Sequence, residues 1–276
     1  IIQKIKFIYM TKNNKILIAT GGTGGHVFPA YSLAKFLIEK NYKVILTSDI
    51  RGFNYLKNYN NLNLIKIPSS PLIKKNIFKL LFSIMIISFS ILRSLIILLF
   101  NRPAVIFGMG GYSSFPVCIA ATILRIKFII YENNLIIGKA NKHLLPFAKK
   151  IFVSYKDLEG ISAVYNDKII EIGNIVRKEI INSKSINSQN SNLKEFKILV
   201  LGGSQAAKVF AEQLPKIFEK LKNFEIPIKV YQQCQKEQKN SLIEFYKKAK
   251  IDCEISNFTK KIIDYYFKAN LVITRS

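Results

Sequence analysis

The sequence predicts an α/β protein of two Rossmann-like domains facing across a cleft, and three observations predict it. An apolar run at 16–19 stops at Gly21-Gly22-Thr23-Gly24-Gly25-His26, and Ala30, Leu33, Ala34, Leu37 and Ile38 then recur at helical spacing. A second strand, glycine loop and helix follows at 104–124, through Gly108-Met109-Gly110-Gly111-Tyr112. A third opens at Phe196, entering Gly202-Gly203-Ser204-Gln205, just beyond residues 182–195, which are almost entirely polar and read as an interdomain linker.

The remaining elements fall between these units. Strands are expected at 44–48, 64–67, 127–131, 151–154 and 169–172, a short helix at 51–58 and a helix at 138–148. Beyond the linker the pattern continues with a helix from the glycine loop to 221, a strand at 228–232, a helix through 248, a short strand near 255, a helix at 260–267 and a strand at 271–274. That is too few units for a second sheet as large as the first, so the chain is expected to be truncated and inactive alone. Met10 reads as the natural start, with residues 1–9 as an extension. The domains expected are then 10–181 and 196–276.

Composition narrows the function classes. With 49% hydrophobic and 21% charged residues the chain is neither disordered nor fibrous. Three cysteines (Cys118, Cys234, Cys253) without metal-ligand spacing read as reduced thiols, and no metal or cofactor is expected. The net charge of +25 would draw the chain to nucleic acid, anionic lipid or polyphosphate. The lysines are scattered, as a coding bias toward Ile, Lys and Asn also produces. No recognition helix, RNP-like strand or zinc motif is present, so nucleic acid is not an expected partner.

A glycine loop that opens a helix offers unpaired N–H groups and the positive end of a dipole, which favours phosphate oxygens. It is not a P-loop, because no Gly-Lys-Ser/Thr follows. A dinucleotide fingerprint would need a third glycine where Val27 stands, although Asp49 lies near the position of a ribose-binding acid. What sets the loop apart is His26, a titratable group beside a phosphate site. Tyr131-Glu132-Asn133-Asn134 ends its strand at the carboxyl edge, where open parallel sheets bind ligands.

Six pieces in one order, completed by Gly173-Asn174-Ile175-Val176-Arg177 and Thr274-Arg275-Ser276, resemble the MurG family of N-acetylglucosaminyltransferases, two-domain enzymes of the GT-B fold. The resemblance runs from Lys15 to Ser276. It departs at Tyr131 and Asn133, where the family reads His and Gln, at Ile175, where it reads Pro, and at Ala206, where it reads Gly.

The resemblance implies inverting transfer of N-acetylglucosamine from its UDP donor to the 4-hydroxyl of an undecaprenyl-pyrophosphoryl-linked N-acetylmuramoyl-pentapeptide, at the cytoplasmic face of the cell membrane. His26 would be the general base. Thr23, Gly24, Gly25, Asn134, Arg177 and Ser204 would bind substrate, joined by Gly22, Gly108, Gly110, Gly111, Tyr112, Glu132, Gln205, Thr259 and Arg275. Asn134 could instead cap a helix and Arg177 form a surface ion pair. A glycolipid synthase using diacylglycerol, or a non-catalytic half of a split enzyme, are the rival readings.

Residues 72–100 are the most apolar stretch, and 77–100 would be long enough to cross a bilayer. Lys79, Arg93 and four serines (Ser83, Ser88, Ser90, Ser94) dilute it. The segment must also return the chain to one sheet. The expectation is a helix packed on the sheet by one face, with a second apolar face, flanked by Lys74, Lys75, Lys79 and Arg102, dipping into an anionic leaflet.

Overall fold

In the computed structural model, residues 14–59, 61–71, 76–181, 195–221, 227–257 and 262–274 are described, with backbone only at 179 and 203–207. The chain divides into two units, Ile1–Lys178 and Glu179–Ser276. The division falls a few residues before the expected boundary. The expected extension and almost all of the expected linker lie outside the described residues.

In the first unit, β1 (Lys15–Ala19), β2 (Lys43–Ser48), β3 (Asn63–Lys66), β4 (Val105–Gly108), β5 (Phe128–Glu132), β6 (Lys150–Val153) and β7 (Ile169–Glu171) form one parallel sheet. Its order is β3-β2-β1-β4-β5-β6-β7. The order reverses between β1 and β4, which is where such sheets open a crevice at their carboxyl edge. Ala19 pairs with Gly108, so the two glycine loops leave the sheet side by side.

Alternation along β1 divides the core. Ile16 and Ile18 join one apolar cluster, with Val27, Ala30, Leu33, Ala34 and Leu37 of α1 (Gly24–Glu39). Leu17 and Ala19 join the other, on the face covered by α4 (Ser114–Ile123) and α5 (Lys139–Leu144). Between α1 and α4 lie α2 (Ile50–Leu56) and α3 (Ile77–Asn101). The expected helix at 138–148 ends at Leu144, close before Pro146. Sequence reasoning missed the 3-10 turn Ala163–Lys168 and the short α6 (Lys178–Ile181).

Helix α3 inverts the usual pattern. Ser83, Ser90, Ser94 and Leu98 are its buried residues, while Phe78 is 78% and Phe100 85% exposed. The inward hydroxyls are satisfied by back-bonding, Ser83 to Lys79 O at 2.8 Å and Ser94 to Ser90 O at 2.7 Å. Ser90 Oγ has two acceptors within reach, Ile86 O at 2.7 Å and Pro68 O at 2.8 Å. Two of these serines face the segment before the helix, Ser90 reaching Pro68 O and Ser83 Oγ accepting from Ser70 Oγ at 3.3 Å, while α4 is the main helical neighbour. The expectation that four serines dilute the outer face is therefore corrected. Only Ser88 faces outward. Lys79 and Arg93 are exposed, and Lys74 and Lys75 lie outside the described residues.

The second unit is a parallel sheet of order β10-β9-β8-β11, built from β8 (Phe196–Leu201), β9 (Ile228–Gln233), β10 (Asp252–Ser256) and β11 (Leu271–Thr274). Helices α7 (Gly203–Leu221), α8 (Lys239–Lys248) and α9 (Ile262–Lys268) connect its strands. Helix α7 begins at Gly203, so Ser204 and Gln205 occupy its first turn rather than a loop.

Candidate active site

The first loop becomes helix at Gly24, directly after Thr23, whose carbonyl accepts from His26 N at 3.1 Å and Val27 N at 3.2 Å. The N–H groups of Gly24 and Gly25 precede any intrahelical acceptor and stay available to a ligand. Pro29, expected in the first turn, stands in the second. Having no N–H, it leaves Gly25 O without its helical donor, and Asn133 Nδ2 bonds that oxygen at 3.1 Å. The helix is thereby tied to the segment after β5.

The second loop packs on the first. Gly110 and Gly111 have φ of +84° and +80°. A Cβ on Gly110 would lie 2.7 Å from His26 Nδ1, and one on Gly111 would lie 2.5 Å from Gly21 O. Met109 N donates to Ala19 O at 2.8 Å, and Ser113 Oγ donates to Thr20 O. Glycine is required here so that the loops can touch, as well as for access to a phosphate.

A cavity of about 340 Å³ opens beside this contact, lined by His26, Gly110, Gly111, Tyr112, Glu132 and Asn134 among others. Burial lowers the His26 pKa below its ordinary 6.5, with the Glu132 carboxylate and the Met109 backbone opposing the shift. The imidazole is therefore neutral near pH 7 and able to accept a proton.

Glu132 is 1% exposed, and its carboxylate is fully occupied. Oε1 accepts from Asn134 N at 3.1 Å and Asn134 Nδ2 at 2.7 Å, while Oε2 accepts from Gly138 N at 2.8 Å and Asn141 Nδ2 at 3.0 Å. It organises the cavity wall and biases His26 rather than presenting a free oxygen to substrate. Asn134 is exposed at the rim, held by Glu132 and not acting as a helix cap.

Two other expected positions are reassigned. Gly22 N donates to Asp49 Oδ1 at 3.0 Å, so it is not free for a phosphate. The same oxygen caps α2 through Gly52 N at 2.9 Å, and Ser69 Oγ and Arg51 reach Oδ2, which leaves Asp49 no ribose to bind. Gly108 lies within β4, where a Cβ would meet Cys118 Sγ at 2.8 Å, so its smallness serves packing.

Arg177 stacks its guanidinium over the Phe28 ring of α1, 5.3 Å from the centroid, with no carboxylate partner among the described residues. The surface ion pair is thus not seen. Tyr131, missed as a site residue, holds the segment that carries it. Its buried hydroxyl lies 2.8 Å from Ser154 Oγ and accepts from Ile175 N at 3.2 Å. A proline at 175 could not donate that bond, so two departures from the family pattern form one contact. The side chains of Ser204 and Gln205, and all of Thr259 and Arg275, lie outside the described residues.

The glycosyltransferase family 28 N-terminal domain profile matches residues 16–153, and the C-terminal domain profile of the same family matches 197–276. The chain belongs to glycosyltransferase family 28. Among its family 28 relatives is a UDP-N-acetylglucosamine–N-acetylmuramyl-(pentapeptide) pyrophosphoryl-undecaprenol N-acetylglucosamine transferase of Pelagibacter ubique, 35% identical over 96% of this chain and 72% of that protein. A protein of the same name from Rickettsia canadensis is 34% identical over 95% of this chain and 73% of its own length. The crystal structure of Acinetobacter baumannii MurG has a TM-score of 0.66 at 23% identity, over 95% of this chain and 71% of that one. Two successive parallel α/β units are the GT-B architecture expected from the sequence.

Proposed function

We propose that this family 28 chain transfers N-acetylglucosamine from UDP-N-acetylglucosamine to the lipid-linked N-acetylmuramoyl-pentapeptide of peptidoglycan synthesis. The observation that carries the reading is a neutral, half-buried histidine between two touching glycine loops at the switch point of the sheet. The names of the 34–35% identical relatives support the same donor and acceptor.

In this reaction the acceptor 4-hydroxyl attacks the anomeric carbon, the bond to UDP breaks, and configuration inverts. His26 takes the hydroxyl proton as the new C–O bond forms. The free N–H groups of Gly24 and Gly25, with the dipole of α1, hold the acceptor pyrophosphate, with Tyr112 and Asn134 at the rim. Arg177 adds fixed positive charge. The second unit takes the donor: the first turn of α7, with Ser204 and Gln205, offers its N–H groups to the diphosphate, and Thr259 and Arg275 belong to the same site. Its leaving UDP is stabilised by those groups.

The first unit docks on the cytoplasmic face of the membrane through the outer face of α3. The support is the inversion of that helix, with serines inward and Phe78, Phe82, Phe89 and Phe100 outward. It is also the crossover from β3 to β4 within one sheet, which favours lying in the interface over spanning it.

The test is transfer of labelled N-acetylglucosamine to lipid-linked acceptor in detergent by the full-length protein. Acceptor turnover is expected with lipid-linked muramoyl-pentapeptide and not with diacylglycerol; the reverse preference would establish the glycolipid synthase. His26→Ala should lower kcat by about 10²–10⁴. Turnover within tenfold of the unsubstituted enzyme would remove His26 as the base.

A further inference from the structure

Asp49 binds no ribose, yet its side chain is buried and its carboxylate fully engaged. Each oxygen accepts two bonds: Oδ1 from Gly22 N at 3.0 Å and Gly52 N at 2.9 Å, Oδ2 from Ser69 Oγ at 3.2 Å and Arg51 Nη2 at 3.3 Å. One side chain therefore sets both the backbone of the first glycine loop and the direction of a guanidinium. The turn that it holds is left-handed at Gly22, with φ of +83°. A Cβ on Gly22 would face Arg51 Nη2 at 3.8 Å, so the guanidinium stands beside the loop.

Arg51 is not consumed by its contact with Asp49. The two N–H groups and the Ser69 hydroxyl share the charge of the carboxylate, and the Arg51 side chain is 56% exposed. A guanidinium bonded through one Nη keeps most of its donors for a ligand. A fork held at one edge and open at the others suits a phosphate oxyanion.

A second guanidinium belongs to the other end of the loop. Arg177 lies over the Phe28 ring, and a Cβ on Gly24 would meet that same ring at 3.0 Å. Tyr55, one turn along α2 from Arg51, also packs on Phe28, with 5.9 Å between ring centroids. The Phe28–Tyr55 pair thus supports both arginines, Arg51 at the Gly22 end of the loop and Arg177 at the Gly24 end. The nearby carboxylates of Asp49 and Glu132 are already engaged and offer no competing free oxygen. Two linked phosphoryl groups match this arrangement. We infer that Arg51 is a further ligand of the acceptor pyrophosphate, and that Asp49 is the positioning residue that sets Arg51 and the Gly22 turn together. This rests on the reading of the first glycine loop as the acceptor-diphosphate site.

The full-length protein would be assayed for transfer in detergent, with acceptor and donor varied separately and inorganic pyrophosphate as inhibitor. Arg51→Gln should raise KM for the lipid-linked acceptor about tenfold or more, as for a lost hydrogen bond to a charged group. Inhibition by pyrophosphate against acceptor should weaken in parallel. The value of kcat, the KM for UDP-N-acetylglucosamine and the thermal midpoint should move far less. Arg51→Lys keeps the charge without the fork and should recover part of the loss. Lys57→Gln, which removes the same charge just past the end of α2, should leave the acceptor KM nearly unchanged. Asp49→Asn should also raise the acceptor KM, and adding Arg51→Gln to it should cost clearly less than Arg51→Gln alone. Additive losses would remove Asp49 as the positioning residue. An unmoved acceptor KM in Arg51→Gln, a loss confined to kcat, or an equal rise from Lys57→Gln would overturn the assignment and leave the proposed function intact. A rise in the donor KM instead would give Arg51 to the donor diphosphate and overturn the acceptor assignment. Absence of transfer by the unsubstituted protein would overturn the functional reading, and the role of Arg51 with it.

Discussion

At the scale of single residues, the two charges that matter are coupled. Burial depresses the His26 pKa and the Glu132 carboxylate opposes the shift, so the base is neutral above a pKa that lies below 6.5. The acid limb of kcat/KM should therefore fall below pH 6.5, and Glu132→Gln, by removing the opposing charge, should move it further to acid. An unmoved limb would separate the two groups. The unfolded chain protonates this histidine first as pH falls through 6.5, so its contribution to stability is complete above that pH and declines below it. Glu132→Gln also turns one acceptor into a donor facing bound N–H groups, at a cost of about 1–3 kcal/mol read as a lowered thermal midpoint. Tyr131→Phe should cost about 1–2 kcal/mol and raise KM through the Arg177 segment. A double-mutant cycle with Ile175→Pro should show coupling, since both changes delete the Ile175–Tyr131 bond, while the contacts of the Tyr131 hydroxyl with Ser154 Oγ and Gly173 O are lost only in Tyr131→Phe. These roles were only half legible beforehand. His26 was marked by its place beside a glycine loop. Tyr131 looked like a mere departure from a motif, because its partners Ser154 and Ile175 are 23 and 44 residues away.

At the scale of elements, sequence patterning located α3 and misjudged its orientation. Serines at 83, 90 and 94 look like interruptions when read along the chain, yet on the helix they share the inner face and the large apolar groups share the outer one. Composition cannot tell these arrangements apart; only the helical packing partner does. Two sets of substitutions should then behave oppositely. Phe82→Ser with Phe89→Ser should leave the thermal midpoint nearly unchanged and weaken vesicle binding several-fold. Ser90→Leu should lower stability by about 1–3 kcal/mol, because a larger side chain must fit where α3 lies close to the protein. Stability loss from the phenylalanine pair instead would make that face core.

At the scale of the whole molecule, the fold was largely written in the repeated strand, glycine loop and helix, since buried parallel strands are short apolar runs and glycine loops end them. The order of the strands was not, because nothing in β4 announces that it pairs with β1 across the 85 residues and more between them. That pairing makes the site: it sets Gly108 level with Ala19 and lets Gly111 press against Gly21. Gly111→Ala should be the more damaging of the two glycine changes in the second loop. Its Cβ would meet a backbone oxygen, whereas at Gly110 it would meet an imidazole that can rotate. A loss of stability of at least about 1–2 kcal/mol is expected from the left-handed backbone alone, measured by thermal or denaturant unfolding.

The contact between Gly111 and Gly21 O also bears on how this site can be borrowed. The two loops form one steric object made from distant parts of the chain, so a loop imported at 108–114 fits against 20–26 only if it keeps glycine at 110 and 111. A graft that places any side chain there would fail by collision even where every residue that touches substrate had been preserved.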